Sequence, residues 1–429
     1  MRTICCVSAS ASTLAACRRR CRTVRRATEP DRIAGTPMNL NLSEEQRLLQ
    51  DSVARYVARE HDFAQYRRIA DGDAEAGHAV WRSMAELGWL GLPLPEADGG
   101  SGGGPMDIAI VMEGLGSALV LAPYLSTAVL GADLIARLAT PAQRERWLPA
   151  LAKGALRIAL AASGAIAADG RRGLDIRATR GHGRGWRLDG VVRGVVDAPD
   201  AGLWLVPARI DDDAAGPADA IAVFTVTPRA PGLAATAFGR VDGRRAADLA
   251  FDGVTLTDGD RLGASDAEPG DARVALEAAL DAATAAACAD AIGCLTVLVD
   301  RTVAYAKTRI QFDQPLAAHQ ALRHRMVDMA LHREEARAIA LCAALRLDGD
   351  PGARARMVSG AKIRVGRAAR AIAEGAIQIH GAMGVTDELA IGAYAKRLLA
   401  FEMTHGTAAE HQRRIVALRR AAGGLRPFD

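Results

Sequence analysis

A chain of 429 residues is two to three ordinary domains long, which excludes a peptide, a single small binding module and a disulfide-stapled scaffold. Half of its residues are apolar, 4% aromatic and 24% charged, the composition of an Ala-rich globular protein with much helix. The formal net charge of +4 is carried by the first 37 residues, where eight arginines face Glu29 and Asp31; the remaining 392 residues sum to −2, so the body has no basic footprint for nucleic acid.

Residues 1–37 are rich in Arg, Ser and Ala and poor in acids, as a mitochondrial transit peptide is. Met38 is followed at once by Asn39-Leu40-Asn41-Leu42-Ser43-Glu44-Glu45-Gln46, a clean helix start, and nothing before it is periodic. The preferred reading is therefore a start codon assigned upstream of the true one at Met38, with a disordered extension; a choice between Met1 and Met38 stays open. Arginines that follow the short apolar run instead of preceding it argue against a secretory signal.

Ser43 and Gln46 form a capping box, and Leu49, Val53, Tyr56 and Val57 repeat behind it at helical spacing. Helical patterns continue over 79–87, 107–119, 125–138 and 141–151, the last with Thr140 as cap and Pro141 at the first helical position. The uncharged run 114–132 has the length of a membrane span, but Gly114, Gly116, Pro123 and Gly131 interrupt it. Two short buried helices joined near Pro123 are expected there, and no membrane span. Residues 38–154 thus read as an N-terminal all-α domain.

From Leu156 the texture changes to short alternating runs over 157–163, 174–179, 185–196, 203–209, 220–227 and 247–256, separated by Gly, Asp and Pro. These predict a middle β domain, a barrel or sandwich, over 155–262. Helical periodicity resumes near Asp271 and lasts to about Arg420 in four long segments broken at 310–315, 349–352 and 381–386. Residues 263–420 read as a C-terminal α-helical bundle and 421–429 as a tail, so the fold class is α+β multidomain. Cys288, Cys294 and Cys342 lie beyond the first 21 residues with no CxxC spacing, which points to packing thiols in a reducing, cytoplasmic setting and to no bound metal.

The glycine run 99–104 lacks the Lys-Ser/Thr of a phosphate loop and reads as a flexible turn between helices; nothing resembles GxSxG or HExxH. Three C-terminal segments carry more. The first is Tyr305-Ala306-Lys307-Thr308-Arg309-Ile310-Gln311-Phe312-Asp313-Gln314-Pro315-Leu316, followed by His319-Gln320; the second is Gln378-Ile379-His380-Gly381-Ala382-Met383-Gly384; the third is Met403-Thr404-His405-Gly406-Thr407. An Arg and a Gln flanking an aromatic where a helix stops can pair with a pyrophosphate and cover a flat heteroaromatic ring. Gln378 ahead of Gly381 and Gly384 offers an amide beside backbone that a cofactor can approach, although each segment alone also suits a helix cap or turn.

Together these segments, with Trp81 to Gly88 and the turn Leu94-Pro95-Glu96-Ala97-Asp98-Gly99-Gly100, resemble the acyl-CoA dehydrogenase family over residues 38–420. The resemblance implies an N-terminal helical domain, a middle β domain, a C-terminal four-helix bundle and FAD held noncovalently between subunits. It implies that Arg309, Gln311 and Phe312 meet the pyrophosphate and adenine half of a neighbouring subunit's FAD. Gln320, Gln378 and Gly381 would line the same dinucleotide, Thr407 would bind it from the last loop, and Ser163 would stand near the flavin ring.

The family's reaction is α,β-desaturation of an acyl-CoA thioester, in which a carboxylate removes the α proton and the β hydrogen leaves as hydride. Many members carry the base as a Glu immediately before Gly-Thr; here that residue is His405, before Gly406-Thr407. Relatives with the Glu on the first bundle helix would have it at Ala283, with Asp281 two residues away. The family's flavin-stacking Trp falls on Gly194, and its Thr-Glu-Pro turn is replaced by Ser163-Gly164-Ala165. This pattern is most similar to the small subunit of two-subunit, pimeloyl-CoA type dehydrogenases.

Three roles for His405 stay open: base, structural residue whose amide polarises the thioester while another subunit supplies the carboxylate, or bystander to another base such as Asp281. The expected function is an FAD-dependent acyl-CoA dehydrogenase of β-oxidation type, one chain of a homo- or hetero-oligomer (dimer or tetramer) that passes electrons to an electron-transfer flavoprotein or similar acceptor. The alternatives are a catalytically silent FAD-binding partner of an active paralogue, and a flavin monooxygenase of the same fold.

Overall fold

The structure, a computed structural model, describes residues 41–162, 174–181, 185–211, 220–263 and 271–423. The proposed N-terminal extension and Ser163 lie outside these residues.

The N-terminal lobe is built from α1 (Glu44–Glu60), α2 (Phe63–Ala70), α3 (Ala74–Glu86), α4 (Pro105–Ser117), a π-helical segment Leu125–Gly131 that runs into α5 (Ala132–Leu138), and α6 (Pro141–Ala152). The expected caps form. Ser43 and Gln46 close a reciprocal capping box on α1, and Thr140 and Gln143 another on α6. Pro123 separates α4 from the following helical segment, as expected from the interrupted apolar run. Among the described residues, the helix long and apolar enough to cross a membrane is a different one, α7 (Asp271–Thr308), and most of its apolar stretch is buried within the protein. The glycine run 99–104 is a turn between helices, as expected, and it is tightly packed. A Cβ on Gly100 would lie 2.1 Å from the Leu94 carbonyl oxygen, and the amides of 100–103 donate to Pro95, Gly91, Leu94 and Leu92.

Seven strands form one mixed sheet in the order β1-β4-β2-β3-β7-β6, with β5 on the other edge of β4. They are β1 (Ile158–Leu160), β2 (Ile176–Arg180), β3 (Trp186–Val196), β4 (Leu203–Ile210), β5 (Ile221–Val226), β6 (Leu233–Gly239) and β7 (Arg245–Leu256). Side chains alternate across the sheet. Ile158 and Leu160 of β1 face the core shared with the helical lobes, whereas Ala159 joins Trp186, Trp204 and Phe224 in a second core. Strand β6 was not expected from the sequence. Its residues 234–239 are exposed, so no apolar alternation marks it.

The C-terminal lobe contains α7, a short hairpin β8 (Ile310–Gln311) and β9 (Gln314–Pro315), α8 (Gln320–Ala344), α9 (Pro351–His380), a 3-10 turn Gly381–Val385, α10 (Ala390–Met403) and α11 (Ala408–Ala421). There are five helices rather than four segments, because Thr404–Thr407 separates α10 from α11. Buried Arg397 of α10 clamps Asp290 of α7 through two hydrogen bonds of 3.0 and 2.7 Å, tying the lobe together.

Candidate active site

All three regions contribute to a cavity of about 120 Å³. The π-helical segment supplies Leu125, Ser126 and Leu130, and the sheet supplies Leu160, Ala162, Gly194, Val196 and Asp197. The β6–β7 turn adds Arg240, Asp242 and Arg244, and Leu280 and Met403–His405 complete the wall. Both π-helical turns and β-bulges occur preferentially beside functional sites. Here β3 slips register between Val192 and Val195. Gly194, at this irregularity, has φ +69° and open space where a Cβ would be.

The walls are apolar, but the turn and its surroundings are charged. Asp197 sits in the left-handed backbone region at φ +62° and accepts a 2.6 Å hydrogen bond from the Ser126 hydroxyl. Burial pushes its carboxyl pKa up. Burial also opposes ionisation of Asp242, yet Arg244, Arg397 and Arg240 together hold that carboxyl below its usual range. Arg240 Nε donates to Asp242 at 3.3 Å. Arg244 donates no side-chain hydrogen bond to any described residue, and its Nε is sealed from solvent.

His405 adopts φ +52°, strained for a residue with a Cβ, at the turn between α10 and α11. The turn is fixed from below by buried Lys362 of α9, which donates to the carbonyls of Phe401, Glu402 and Gly406 at 3.0, 3.2 and 2.7 Å. His411 Nε2 donates to the His405 carbonyl at 3.0 Å. Burial, then the positive charge of Lys362, lowers the His405 pKa to about 3. Its Nδ1 is buried without a partner. The amides of His405 and Gly406 donate to no acceptor among the described residues.

The other residues singled out in the sequence fall in three places. Asp281 is buried between Arg354, whose Nε lies at 3.1 Å, and Arg414, both of which donate to it, and it does not line the cavity. Thr407 is used as the N-cap of α11, exchanging hydrogen bonds with Glu410.

Arg309, Gln311, Phe312, Gln320, Gln378 and Gly381 are all exposed and lie outside this cavity. Phe312 is 85% exposed at the tip of the β8–β9 hairpin, where it and Asp313 take φ +54° and +62°, as a two-residue hairpin turn demands. Gln311 Nε2 folds back onto the Ile310 carbonyl at 2.9 Å. Tyr305 stacks on His380 with centroids 4.3 Å apart, which brings the end of α7 to the end of α9. The first two sequence segments are thereby joined. Gly381, at φ +63°, leaves open space, whereas a Cβ on Gly384 would press to 3.0 Å from the Ile377 carbonyl oxygen. Gly384 therefore serves internal packing rather than approach of a cofactor.

Ser126, Asp197, Arg240, Asp242, Arg244 and Lys362 were not singled out from the sequence. Their only local signal was charge after the apolar pair Val195-Val196 at Asp197; Lys362 lies among Arg354, Arg356, Arg364 and Arg367 and carried none.

The chain matches the family description "Acyl-CoA dehydrogenase, N-terminal domain" over residues 43–155 and "Acyl-CoA dehydrogenase, C-terminal domain" over residues 272–420. It is 31% identical to the acyl-CoA dehydrogenase FadE12 of Mycobacterium tuberculosis over 357 residues, 82% of this chain and 89% of that protein. Among solved structures it resembles the ChsE4–ChsE5 complex of Mycobacterium tuberculosis with a TM-score of 0.78 and 27% identity, covering 90% of this chain and 99% of that one. It also resembles the Tcur3481–Tcur3483 steroid ACAD, with a TM-score of 0.77 and 26% identity, covering 89% and 99%.

Proposed function

Because the chain belongs to the acyl-CoA dehydrogenase family, we propose that it takes part in FAD-dependent α,β-desaturation of an acyl-CoA as one chain of a hetero-oligomer whose other chain supplies the base. The position expected to hold the catalytic Glu is a histidine whose Nδ1 is buried without a partner, and burial, then the positive charge of Lys362, pushes its pKa down to about 3. A base must gain a proton, and here the protonated ring would be buried away from water with the Lys362 ammonium close by. The free amides of His405 and Gly406 retain a use as donors to a thioester carbonyl, which gains negative charge as the α proton leaves.

The residues present fit FAD. Gly194 and Ala162 leave the sheet wall without bulk, and the exposed Arg309, Phe312, Gln320 and Gln378 suit the dinucleotide of an adjoining subunit. When bound, FAD supplies the hydride acceptor. This chain's residues enclose the acyl group, exclude water through Leu125, Leu130, Leu160 and Leu280, and hold the thioester oxygen. The α proton passes to the partner's carboxylate. One structural relative above is a complex of two proteins, ChsE4 and ChsE5, which supports the same arrangement.

The test is anaerobic mixing of FAD-loaded protein with acyl-CoAs while flavin absorbance is followed. The chain alone should leave the flavin oxidised, and co-expression with a paralogue bearing Glu-Gly-Thr should allow bleaching. Full bleaching by the isolated chain overturns the division of labour.

A further inference from the structure

Resting on the acyl-CoA reading above, we propose that His411 and Lys362 are positioning residues, which hold the α10–α11 turn from behind so that the amides of His405 and Gly406 meet the thioester oxygen. Those two amides donate to nothing among the described residues, so their direction decides what they bind.

The carbonyls that set this direction are held from one side. His411 Nε2 donates to the His405 carbonyl at 3.0 Å, and Lys362 Nζ to that of Gly406 at 2.7 Å. The peptides here are trans, with each N–H opposite its C=O. Fixing the His405 carbonyl towards α11 therefore turns the Gly406 amide away from α11. No residue of α9 or α11 lines the cavity, whereas Met403, Thr404 and His405 do. The clamp thus stands behind the turn, and the amide faces the cavity side.

Capping of α10 does not account for these bonds. Lys362 also donates to the Phe401 and Glu402 carbonyls in the last helical turn, at 3.0 and 3.2 Å. Its shortest bond reaches past the helix end to Gly406, and the His411 bond serves only the turn. Ser359 and Lys362 lie three residues apart on one face of α9, and the Ser359 hydroxyl meets His411 Nδ1 at 3.1 Å. A carbonyl only accepts, so Nε2 is the nitrogen of His411 that carries the proton to it. All three side chains are buried. They over-determine a turn in which His405 is strained to φ +52°.

As the α proton leaves, the thioester oxygen gains negative charge, which amides set in advance stabilise without reorganising. The experiment compares two ligands that differ in that oxygen alone, bound without turnover to the FAD-loaded assembly as purified. Crotonyl-CoA carries the thioester, and its thioether analogue has a methylene in place of the carbonyl. Calorimetry should show crotonyl-CoA binding about tenfold more tightly. An isotopically labelled carbonyl should show its stretch lowered from the solution value. His411→Phe and Lys362→Met should each erase most of the preference and return the stretch towards that value, with thioether binding unchanged. His411→Gln, whose amide still donates, should keep both. If the first two variants do not fold, Ser359→Ala leaves His411 in place but unsteadied and should give a partial loss.

Variants that lose thermal stability yet keep the preference and the shifted stretch overturn the proposal, since the two residues would then only cap the helix. Ser359→Ala unchanged in both measurements does the same where it is the variant that folds. Equal binding of the two ligands by the unaltered assembly removes the amide contact, and the proposal with it. Binding of neither removes the acyl-CoA reading itself together with this one.

Discussion

His405 concentrates two costs, a left-handed backbone and a ring enclosed with cations, and neither is needed if the ring is only filler. The geometry at 405 and 406 presents amides, so the backbone conformation is the part expected to matter. Asn tolerates the left-handed region, and His405→Asn should keep kcat of the assembled complex within about threefold, since loss of a general base costs about 10²-fold or more. A drop of that larger size would make the ring itself the base.

The buried imidazoles also set an acid limit. Burial lowers His61, His405 and His411 to about 4, 3 and 4, from an ordinary value of 6.5. Between about pH 6.5 and pH 4 the unfolded chain binds more protons than the folded one, so stability is complete above this window and lost as pH falls through it. Each histidine contributes a slope of about 1.4 kcal/mol per pH unit. Asp197, raised by burial, works in the opposite sense and offsets part of this. Urea melts from about pH 7 down to about pH 4 should show midpoints falling steeply; midpoints constant across that range would mean the histidines are solvated.

At the scale of elements, the crossing of α4 and α7 holds the N- and C-terminal lobes together. A Cβ on Gly116 would lie 2.0 Å from the Asp290 carbonyl oxygen, and one on Gly293 would lie 2.0 Å from that of Glu113. The helices touch backbone to backbone, with no flexible side chain to yield. Gly293→Val should destabilise by about 3 kcal/mol or more, against Gly360→Ala in α9, which meets nothing and should stabilise by about 0.5–1 kcal/mol. Thermal melts of the two variants check the contrast, and equal Tm values would show that the crossing relaxes freely.

The legibility of these elements followed local chemistry. Capping boxes at Ser43 and Thr140 and the proline at 141 are read within four residues, and they marked true helix starts. Strand β6 is exposed Ala, Thr and Gly, so its existence depends on pairing with β7 and on nothing in its own pattern. The tightness of the 99–104 turn likewise depends on Gly91, Leu92 and Leu94 packing against it.

For the whole molecule, the family-bearing segments were legible because each is a continuous run, whereas the cavity is assembled from positions 126, 197, 240–244 and 405. Arg240–Arg244 has the composition of a solvated turn, and only the fold buries Asp242 within it. Association is the property that draws on the legible part. Ile310 and Phe312 on the hairpin, Val327 and Leu331 one turn apart on α8, and Val385 after α9 are large apolar side chains exposed on the C-terminal lobe. Val327 and Leu331, four residues apart, share one helix face, the arrangement of an interface rather than of scattered exposure. Leu331→Glu should therefore weaken association with a partner chain by about tenfold or more, seen as a shift to monomer in sedimentation velocity. Its thermal unfolding as a monomer should be unchanged, because the side chain is 58% exposed within the protomer. Under the proposed placement of the dinucleotide against Arg309 and Phe312 of an adjoining subunit, FAD should be lost together with association. Retention of FAD by a Leu331→Glu monomer would place the cofactor within one chain and remove the reason for the exposure of these residues.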